Sequence, residues 1–252
     1  MPSSLPVILQ ADGLKKRFRQ VAAVEDVSLE IQEGEILGLV GESGSGKSTL
    51  ARLLMRLLEP DAGRIYFRGV ELTSLSEREL RPFRRQIQLV FQDPDAALNP
   101  RQTIRASLRR GYQALGWSAA DSDRAMGPLV ESLGIDRDVL DCRPQQLSGG
   151  QKQRIVIARA LSMEPCVLIA DEPTASLDAS VAVQVLNLLR NLVQKRRLAM
   201  LFISHDLRVV NYLCDRIGVL EAGRLVEIGD RESILRNPRL AYTQQLVRAF
   251  EP

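Results

Sequence analysis

The chain of 252 residues is 45% hydrophobic and 26% charged, an ordinary globular composition with enough apolar residues for one large α/β core. Its net charge of +3 is too small to indicate nucleic-acid binding, and none of its apolar runs approaches the ~18–20 residues that span a bilayer. The cysteines Cys142, Cys166 and Cys214 are widely spaced and form no CxxC pair, so we expect reduced, structural thiols in a cytosolic protein.

Two apolar segments, Val24–Ile31 and Ile36–Val40, are predicted to be strands, and the second runs directly into a glycine-rich loop. This phosphate loop satisfies GxxxxGK[ST] and leads into a predicted helix, although a Gly/Ser surface turn is the alternative. Its residues are Gly41, Glu42, Ser43, Gly44, Ser45, Gly46, Lys47, Ser48 and Thr49. Glycines let the backbone wrap phosphates, so we expect Lys47 to reach the β- and γ-phosphates and Ser48 to ligate Mg²⁺.

The next part of the chain is predicted to be mostly helical. Ser74 and Glu77 have the spacing of a capping box at the start of the first of these helices. After a predicted strand at Gln86–Phe91, helical spacing dominates to about Pro165. The predicted helices are Glu77–Arg85, Thr103–Leu115 and Ala125–Leu133. We therefore expect a strand-rich core that is interrupted by a helical insertion over about residues 93–165.

The pentapeptide Leu147–Gln151, within this insertion, is a second candidate phosphate site. Ser148, Gly149 and Gly150 offer a hydroxyl and successive backbone N–H groups, and the helix-prone run Gln151–Leu161 follows at once. N–H groups at a helix N-terminus bind anions, and the glycines place no side chain in the way. Two phosphate-binding elements in one chain fit a protein that holds ATP between two copies.

A pair of carboxylates follows the predicted strand Cys166–Ala170. Apolar residues that run into Asp171 and Glu172 are typical of a buried parallel strand that ends at a polar site. We expect Asp171 to support Mg²⁺ through water and Glu172 to orient and polarise the attacking water. The alternative is a strand that ends in solvated acids.

The only histidine, His205, follows the predicted strand Ala199–Ser204, which itself follows an amphipathic helix predicted over Ala179–Arg197. At a strand end the imidazole can hydrogen-bond a γ-phosphate, whereas the alternative is a structural or surface histidine. The last predicted strands, Arg216–Leu220 and Leu225–Ile228, are joined by a hairpin turn at residues 221–224.

In this order and spacing the motifs resemble those of the ATP-binding subunit of an ABC transporter, over essentially the whole chain. The phosphate loop matches the family's Walker A loop, Asp171 and Glu172 its Walker B acids, and Leu147–Gln151 its signature. The other matches are Gln92 with the Q-loop, Ser176-Leu177-Asp178 with the D-loop, His205 with the switch histidine and Phe18 with the aromatic that stacks on adenine. For Phe18 the alternative is an ordinary core residue.

The resemblance implies an α/β fold: a P-loop NTPase core with a mostly parallel sheet, an N-terminal antiparallel β portion and an inserted helical subdomain, all in one nucleotide-binding domain over residues 1–252. It implies that two cassettes sandwich two ATP molecules head to tail. In that arrangement Ser148, Gly149, Gly150 and Gln151 face the partner's γ-phosphate. Gln92 is implied to ligate Mg²⁺ and to sense the transmembrane partner.

The partners implied are a second ATP-binding subunit, identical or paralogous, integral membrane permease subunits and, indirectly, a substrate-binding protein, with no nucleic acid. The location implied is peripheral, at the cytoplasmic face of the cell membrane.

A narrower resemblance is to the peptide/nickel importer subfamily. It rests on Phe91–Pro94 with Leu98–Arg101, on Gln184–Leu189 and on the tail Asn237–Leu246. The tail departs from the subfamily's His-Pro-Tyr-Thr, because Leu240-Ala241-Tyr242-Thr243 stands there. Many peptide importers have a longer C-terminal extension with clustered cysteines. This sequence shows no such cluster, so we expect nickel or metal chelates as the cargo.

Two other classes share a phosphate loop. Non-transport ABC ATPases that act in repair need a long coiled coil between the two phosphate elements, and those of translation usually hold two cassettes in one chain. A P-loop kinase or GTPase needs neither Leu147–Gln151 at a helix start nor a histidine after a strand. The sequence therefore predicts an ATPase that powers import, with a soluble ABC factor as the alternative.

Overall fold

The computed structural model describes residues 5–175 and 177–250, which form two compact units. The first unit runs up to Arg84 and resumes at Leu192, and the second comprises Arg85–Asn191. Ser176, which belongs to the predicted D-loop, lies outside the described residues. No helix in the described ranges is both long and apolar enough to cross a membrane.

The strands of the described chain are β1 (Val7–Phe18), β2 (Val21–Gln32), β3 (Ile36–Val40), β4 (Ala62–Phe67), β5 (Val70–Glu71), β6 (Ile87–Val90), β7 (Val167–Asp171), β8 (Ala199–Ile203), β9 (Arg216–Glu221) and β10 (Arg224–Asp230). The helices are α1 (Lys47–Leu54), α2 (Glu77–Gln86), α3 (Pro94–Ala97), α4 (Ile104–Ala114), α5 (Ala119–Ser132), α6 (Gly149–Leu161), α7 (Ala179–Arg196), α8 (Leu207–Leu213), α9 (Arg231–Arg236) and α10 (Ala241–Phe250). Short 3₁₀ turns lie at Arg137–Asp141 and Pro144–Gln146.

The first unit contains an antiparallel sheet in the order β2-β1-β4-β5. Strand β1 pairs with β2 on one side and with β4 on the other. Leu9, Ala11 and Leu14 of β1 are fully buried. A register shift between Ala11 and Leu14 makes the buried positions skip a residue, as a β-bulge does. This sheet is the N-terminal antiparallel portion that the family resemblance implies.

The phosphate loop lies in a second sheet of the same unit, in which β3 pairs in parallel with both β8 and β9. Every residue of β3 and β8 is buried, as expected for parallel strands that are covered on both faces. Strand β10 pairs antiparallel with β9 through a two-residue turn, where Ala222 and Gly223 have φ values of 46° and 84°. Two left-handed residues match the twist of a hairpin, so the predicted turn is confirmed.

The second unit combines the parallel pair β6–β7 with helices α3 to α6. Side chains on β6 and β7 and on helices α4 to α6 make its core: Leu89, Leu108, Val130, Ile155 and Ile169. The side chains of Thr103 and Ser118 accept backbone N–H groups in the first turns of α4 and α5 and so fix where these helices begin. Because Ser118 is the N-cap, α5 starts six residues before the predicted Ala125.

The predicted capping box of Ser74 and Glu77 is wrong. Helix α2 begins at Glu77, and the backbone N–H and hydroxyl of Ser76 both donate to the Glu79 carboxylate, at 2.9 and 2.6 Å. The hydroxyl of Ser74 instead donates to the carbonyl of Glu71. The box therefore fails because the helix starts two residues later than it requires.

Candidate active site

The phosphate loop connects β3 to α1 and presses closely on the surrounding backbone. A Cβ on Gly41 would lie 2.1 Å from the carbonyl oxygen of Leu220, and one on Gly46 would lie 2.1 Å from that of Ala23. Gly46 also has a φ of 105°, which side chains rarely adopt. Both glycines are therefore required by the path of the loop.

Lys47, the first residue of α1, folds back over the loop. Its side chain is only 5% exposed, and Nζ donates to the carbonyl oxygens of Gly41 and Glu42 at 2.8 Å each. The N-cap, Gly46, has no side chain to satisfy the N–H groups of the first turn. A buried ammonium and uncapped helix donors at the same loop fit an anion such as a phosphate.

The second unit holds the two predicted acids and Gln92. Asp171, the last residue of β7, is 8% exposed, and Glu172 follows with a left-handed φ of 47° that turns the chain out of the strand. Gln92 follows the adjacent strand β6, and its Nε2 donates to Oε2 of Glu172 at 3.4 Å. Parallel neighbours bring their carboxyl ends to one edge, which explains why these residues meet.

The signature segment Leu147–Gln151 forms the start of α6. Ser148 is its N-cap: Oγ accepts the N–H of Gln151 at 3.3 Å, while Oε1 of Gln151 accepts the N–H of Ser148 at 3.0 Å. Gly149 faces open space, whereas a Cβ on Gly150 would lie 2.6 Å from Val181 of α7. The two glycines thus have different roles: Gly149 leaves the start of α6 open, and Gly150 lets α6 approach α7.

The remaining predicted residues lie at strand and helix ends. Phe18, at the end of β1, is 45% exposed, so the alternative of an ordinary core residue is wrong. The ammonium of Lys16 lies 5.8 Å from the centroid of its ring. His205 is exposed two residues after β8, and Asp178 is exposed immediately before α7.

The family model described as ABC transporter matches residues 24–175. The chain belongs to the ABC transporter family. A putative peptide import ATP-binding protein of Brucella ovis is 46% identical over 249 residues, which cover 96% of this chain and 78% of that protein. The oligopeptide transport ATP-binding protein OppF of Streptococcus mutans is 44% identical over 237 residues, which cover 93% and 77%.

A solved structure of the ATP-binding cassette MJ0796, described as a dimeric post-hydrolysis state bound to ADP and Pi, is 28% identical. It superposes with a TM-score of 0.80 over 89% of this chain and 99% of that one. Membership in the ABC transporter family confirms the predicted fold class, and ATP hydrolysis is the activity expected of such a cassette. The kinase or GTPase alternative is therefore wrong.

Two features of this ABC cassette have no counterpart among the predicted site residues. In the first unit, the hydroxyl of Tyr242 accepts the backbone N–H of Glu42 in the phosphate loop, at 3.2 Å. In the second unit, a cavity of about 600 Å³ lies beside α3 and α4 and is lined by residues that include Gln88, Ala96 and Arg110. Both depend on contacts between residues that are distant in sequence, so no local pattern could have revealed them.

Proposed function

We propose that the chain is the ATP-hydrolysing subunit of an importer that takes up peptides. The phosphate loop carries this proposal, because its buried Lys47 ammonium and uncapped helix start fit a nucleotide phosphate. The chain is also similar to two proteins that are named for peptide import and oligopeptide transport. These names support the peptide part of the sequence prediction and favour it over a soluble ABC factor. Nickel or metal chelates remain the alternative cargo. We regard residues 1–252 as one nucleotide-binding domain with a helical subdomain at about 93–165.

The cargo can be tested directly on the transporter. We expect the substrate-binding protein that works with this subunit to bind short peptides, and uptake of a radiolabelled peptide into membrane vesicles to require ATP on the cytoplasmic side. A binding protein that retains nickel or a nickel chelate and ignores peptides would contradict peptide import while leaving the ATPase assignment intact.

The roles of the phosphate-site residues follow from their chemistry. Lys47 contacts the β- and γ-phosphates, Phe18 stacks on adenine and His205 hydrogen-bonds the γ-phosphate. Ser48, Gln92 and Asp171 offer hydroxyl, amide and carboxylate oxygens, which are the ligands that Mg²⁺ prefers. Since Nε2 of Gln92 donates to Glu172, its Oε1 is the atom left for a metal. Bound Mg²⁺ would neutralise charge on the phosphates.

Glu172 is the proposed catalytic residue. Phosphoryl transfer to water needs a group that orients the attacking molecule and accepts its proton. The Glu172 carboxylate lies at a strand end, partly exposed, and is held by Gln92 at 3.4 Å. A change at Gln92 would therefore also disturb the carboxylate that positions water.

The signature segment is proposed to act on the nucleotide of a second cassette, identical or paralogous, with Asp178 contributing to the same shared site. The capping box holds the start of α6 rigid, and Ser148 and Gly149 are exposed there. The N–H groups of Gly149 and Gly150 precede the first i→i−4 hydrogen bonds of the helix, so they are the donors that could bind an anion. The dimeric state of MJ0796 supports such an arrangement.

We propose that the cavity beside α3 and α4 receives a permease subunit, which would hold the protein peripherally at the cytoplasmic face of the membrane. Its walls combine two arginines, an aspartate, other polar side chains and apolar groups, and it adjoins the segment that follows Gln92. Contact there would link the permease to the Gln92–Glu172 pair within one unit. A substrate-binding protein would act only indirectly, through the permease.

Ala96→Trp tests this docking site, because a tryptophan would fill space in the cavity. We expect the variant to co-purify with its integral membrane partners about tenfold less efficiently or worse. Ala120→Trp, on an exposed position of α5 that does not line the cavity, is the matched control. Equal recovery of membrane partners with both variants, measured by mass spectrometry of detergent extracts, would place the docking surface elsewhere.

Lys47→Ala tests the phosphate assignment. Losing a charge-assisted contact to phosphate should raise the Kd for ATP by about ten- to a hundredfold, as measured by calorimetric titration. Lys15→Ala removes an exposed lysine from the same unit, where it pairs only loosely with Asp26 at 3.8 Å, and should leave the Kd unchanged. Unaltered ATP affinity in Lys47→Ala would remove Lys47 from the site.

A further inference from the structure

The segment that precedes α10 is anchored to the sheet of the first unit. The carboxylate of Glu227 on β10 accepts the backbone N–H groups of Arg239 and Leu240 at 3.0 and 3.4 Å. Burial acts to raise the pKa of Glu227, but its hydrogen bonds, including these two, outweigh burial and lower it, so the carboxylate is charged at neutral pH. Thr243 and Val247 of α10 are buried, which fixes the rotation of the helix. These contacts hold Tyr242, the second residue of α10, in place.

That residue is Tyr242, whose hydroxyl oxygen accepts the backbone N–H of Glu42 at 3.2 Å. Burial, and then the nearby carboxylates of Glu42 and Glu221, raise the pKa of the Tyr242 hydroxyl, while the backbone N–H of Glu42 acts in the opposite direction. The phenol is therefore neutral at physiological pH and adds no negative charge beside the phosphate loop.

The N–H of Glu42 and the carbonyl of Gly41 belong to the same peptide group, which is planar. The carbonyl accepts a hydrogen bond from Nζ of Lys47 at 2.8 Å, while the N–H donates to Tyr242. In a trans peptide the N–H and the C=O point in opposite directions within the plane, so Tyr242 and Lys47 hold this peptide group at its two opposite edges. Rotation of this plane would move the carbonyl that places the ammonium.

We propose that Tyr242 is a positioning residue for nucleotide binding, which fixes the Gly41–Glu42 peptide and through it the Lys47 ammonium. The inference rests on the assignment of Lys47 as the phosphate-contacting lysine. It gives a role to Tyr242 of the tail, which the motifs of ATP chemistry do not include. Through Tyr242, helix α10 would contribute to the nucleotide site, although it is remote from the phosphate loop in sequence.

Tyr242→Phe removes only the hydroxyl and keeps the ring. We expect the Kd for ATP to rise about three- to tenfold, the effect of one neutral hydrogen bond. Without nucleotide, hydrogen exchange at the Glu42 amide should become faster while the Tm changes little. Tyr66→Phe, which removes a hydroxyl bonded to Arg64 in the same unit, is the matched control and should alter neither quantity.

A double-mutant cycle separates positioning from general support of the fold. If Tyr242 acts through Lys47, Tyr242→Phe should have little further effect on the Kd in the Lys47→Ala background. The same fold-loss in both backgrounds, or unchanged Glu42 exchange and unchanged affinity in the single variant, would overturn the proposal. If Lys47→Ala alone leaves ATP affinity intact, the Lys47 assignment has failed instead, so the two failures are distinguishable.

Discussion

Glu172→Gln is expected to bind ATP with nearly wild-type affinity and to lose at least about a hundredfold in turnover, the range of a lost general base. The amide keeps the shape of the side chain, and its oxygen can still accept the hydrogen bond from Nε2 of Gln92. It lacks the charge that polarises water and the basicity to accept a proton. ATP should therefore bind and persist, and the protein should accumulate as an ATP-bound dimer.

The matched control for this variant is Glu164→Gln. Glu164 is also in the second unit, also has a left-handed backbone, with a φ of 50°, and is exposed in the turn after α6. Release of phosphate, measured with saturating ATP, should be unaffected by this change. A wild-type rate in Glu172→Gln would mean that another group orients the water, and the proposed role of Glu172 would have to be abandoned.

The elements that the sequence predicts well are those whose pattern is local. Strand β3 has its predicted bounds, because a fully apolar run ending at a glycine has few other structures available. The turn between β9 and β10 is likewise fixed by its own residues, since Gly223 readily adopts a positive φ. Helix α7 differs from its prediction by one residue at its end.

The sequence pattern does not predict strands β1 and β4, because each contains an interruption of the alternation typical of a strand. In β1 the bulge near Gly13 breaks the alternation of buried residues. Strand β4 begins with Ala62 and Gly63, which look like a turn; a Cβ on Gly63 would lie 2.5 Å from the carbonyl oxygen of Gly13. A glycine is needed at this position because two strands approach closely there, and a sequence pattern does not reveal that approach.

The residues of the candidate site likewise fall into two groups, those that a local motif predicts and those whose role depends on contacts formed by folding. Gly46, Lys47 and the two acids at the end of β7 are recognisable because each belongs to a short motif of fixed spacing along the chain. The roles of Gly150 and Tyr242 depend on Val181 and Glu42, which meet them only after folding. The sequence predicts that both signature glycines are open to a ligand, but Gly150 also packs closely against Val181 of α7.

Ser148→Arg is expected to leave ATP binding by the monomer largely intact and to abolish ATP-induced dimerisation in the Glu172→Gln background. Ser148 lies exposed at the start of α6, where an arginine would add bulk between the helix donors and a phosphate from another cassette. Losing the N-cap should cost about 1 kcal/mol of stability. Ser118→Arg is the control, because it removes the same kind of cap from α5, also at an exposed position.

Both capping variants should therefore show a similar small fall in Tm, and only Ser148→Arg should fail to dimerise on addition of ATP. Light scattering with and without ATP measures dimerisation, and a nucleotide titration measures binding by the monomer. In the proposed two-cassette site the donors of α6 act in trans, so blocking them should affect closure and hydrolysis but not the first binding step. If the Ser148→Arg monomer itself loses ATP affinity while Ser118→Arg does not, the signature segment acts within its own chain, and the two-cassette site does not apply to this protein.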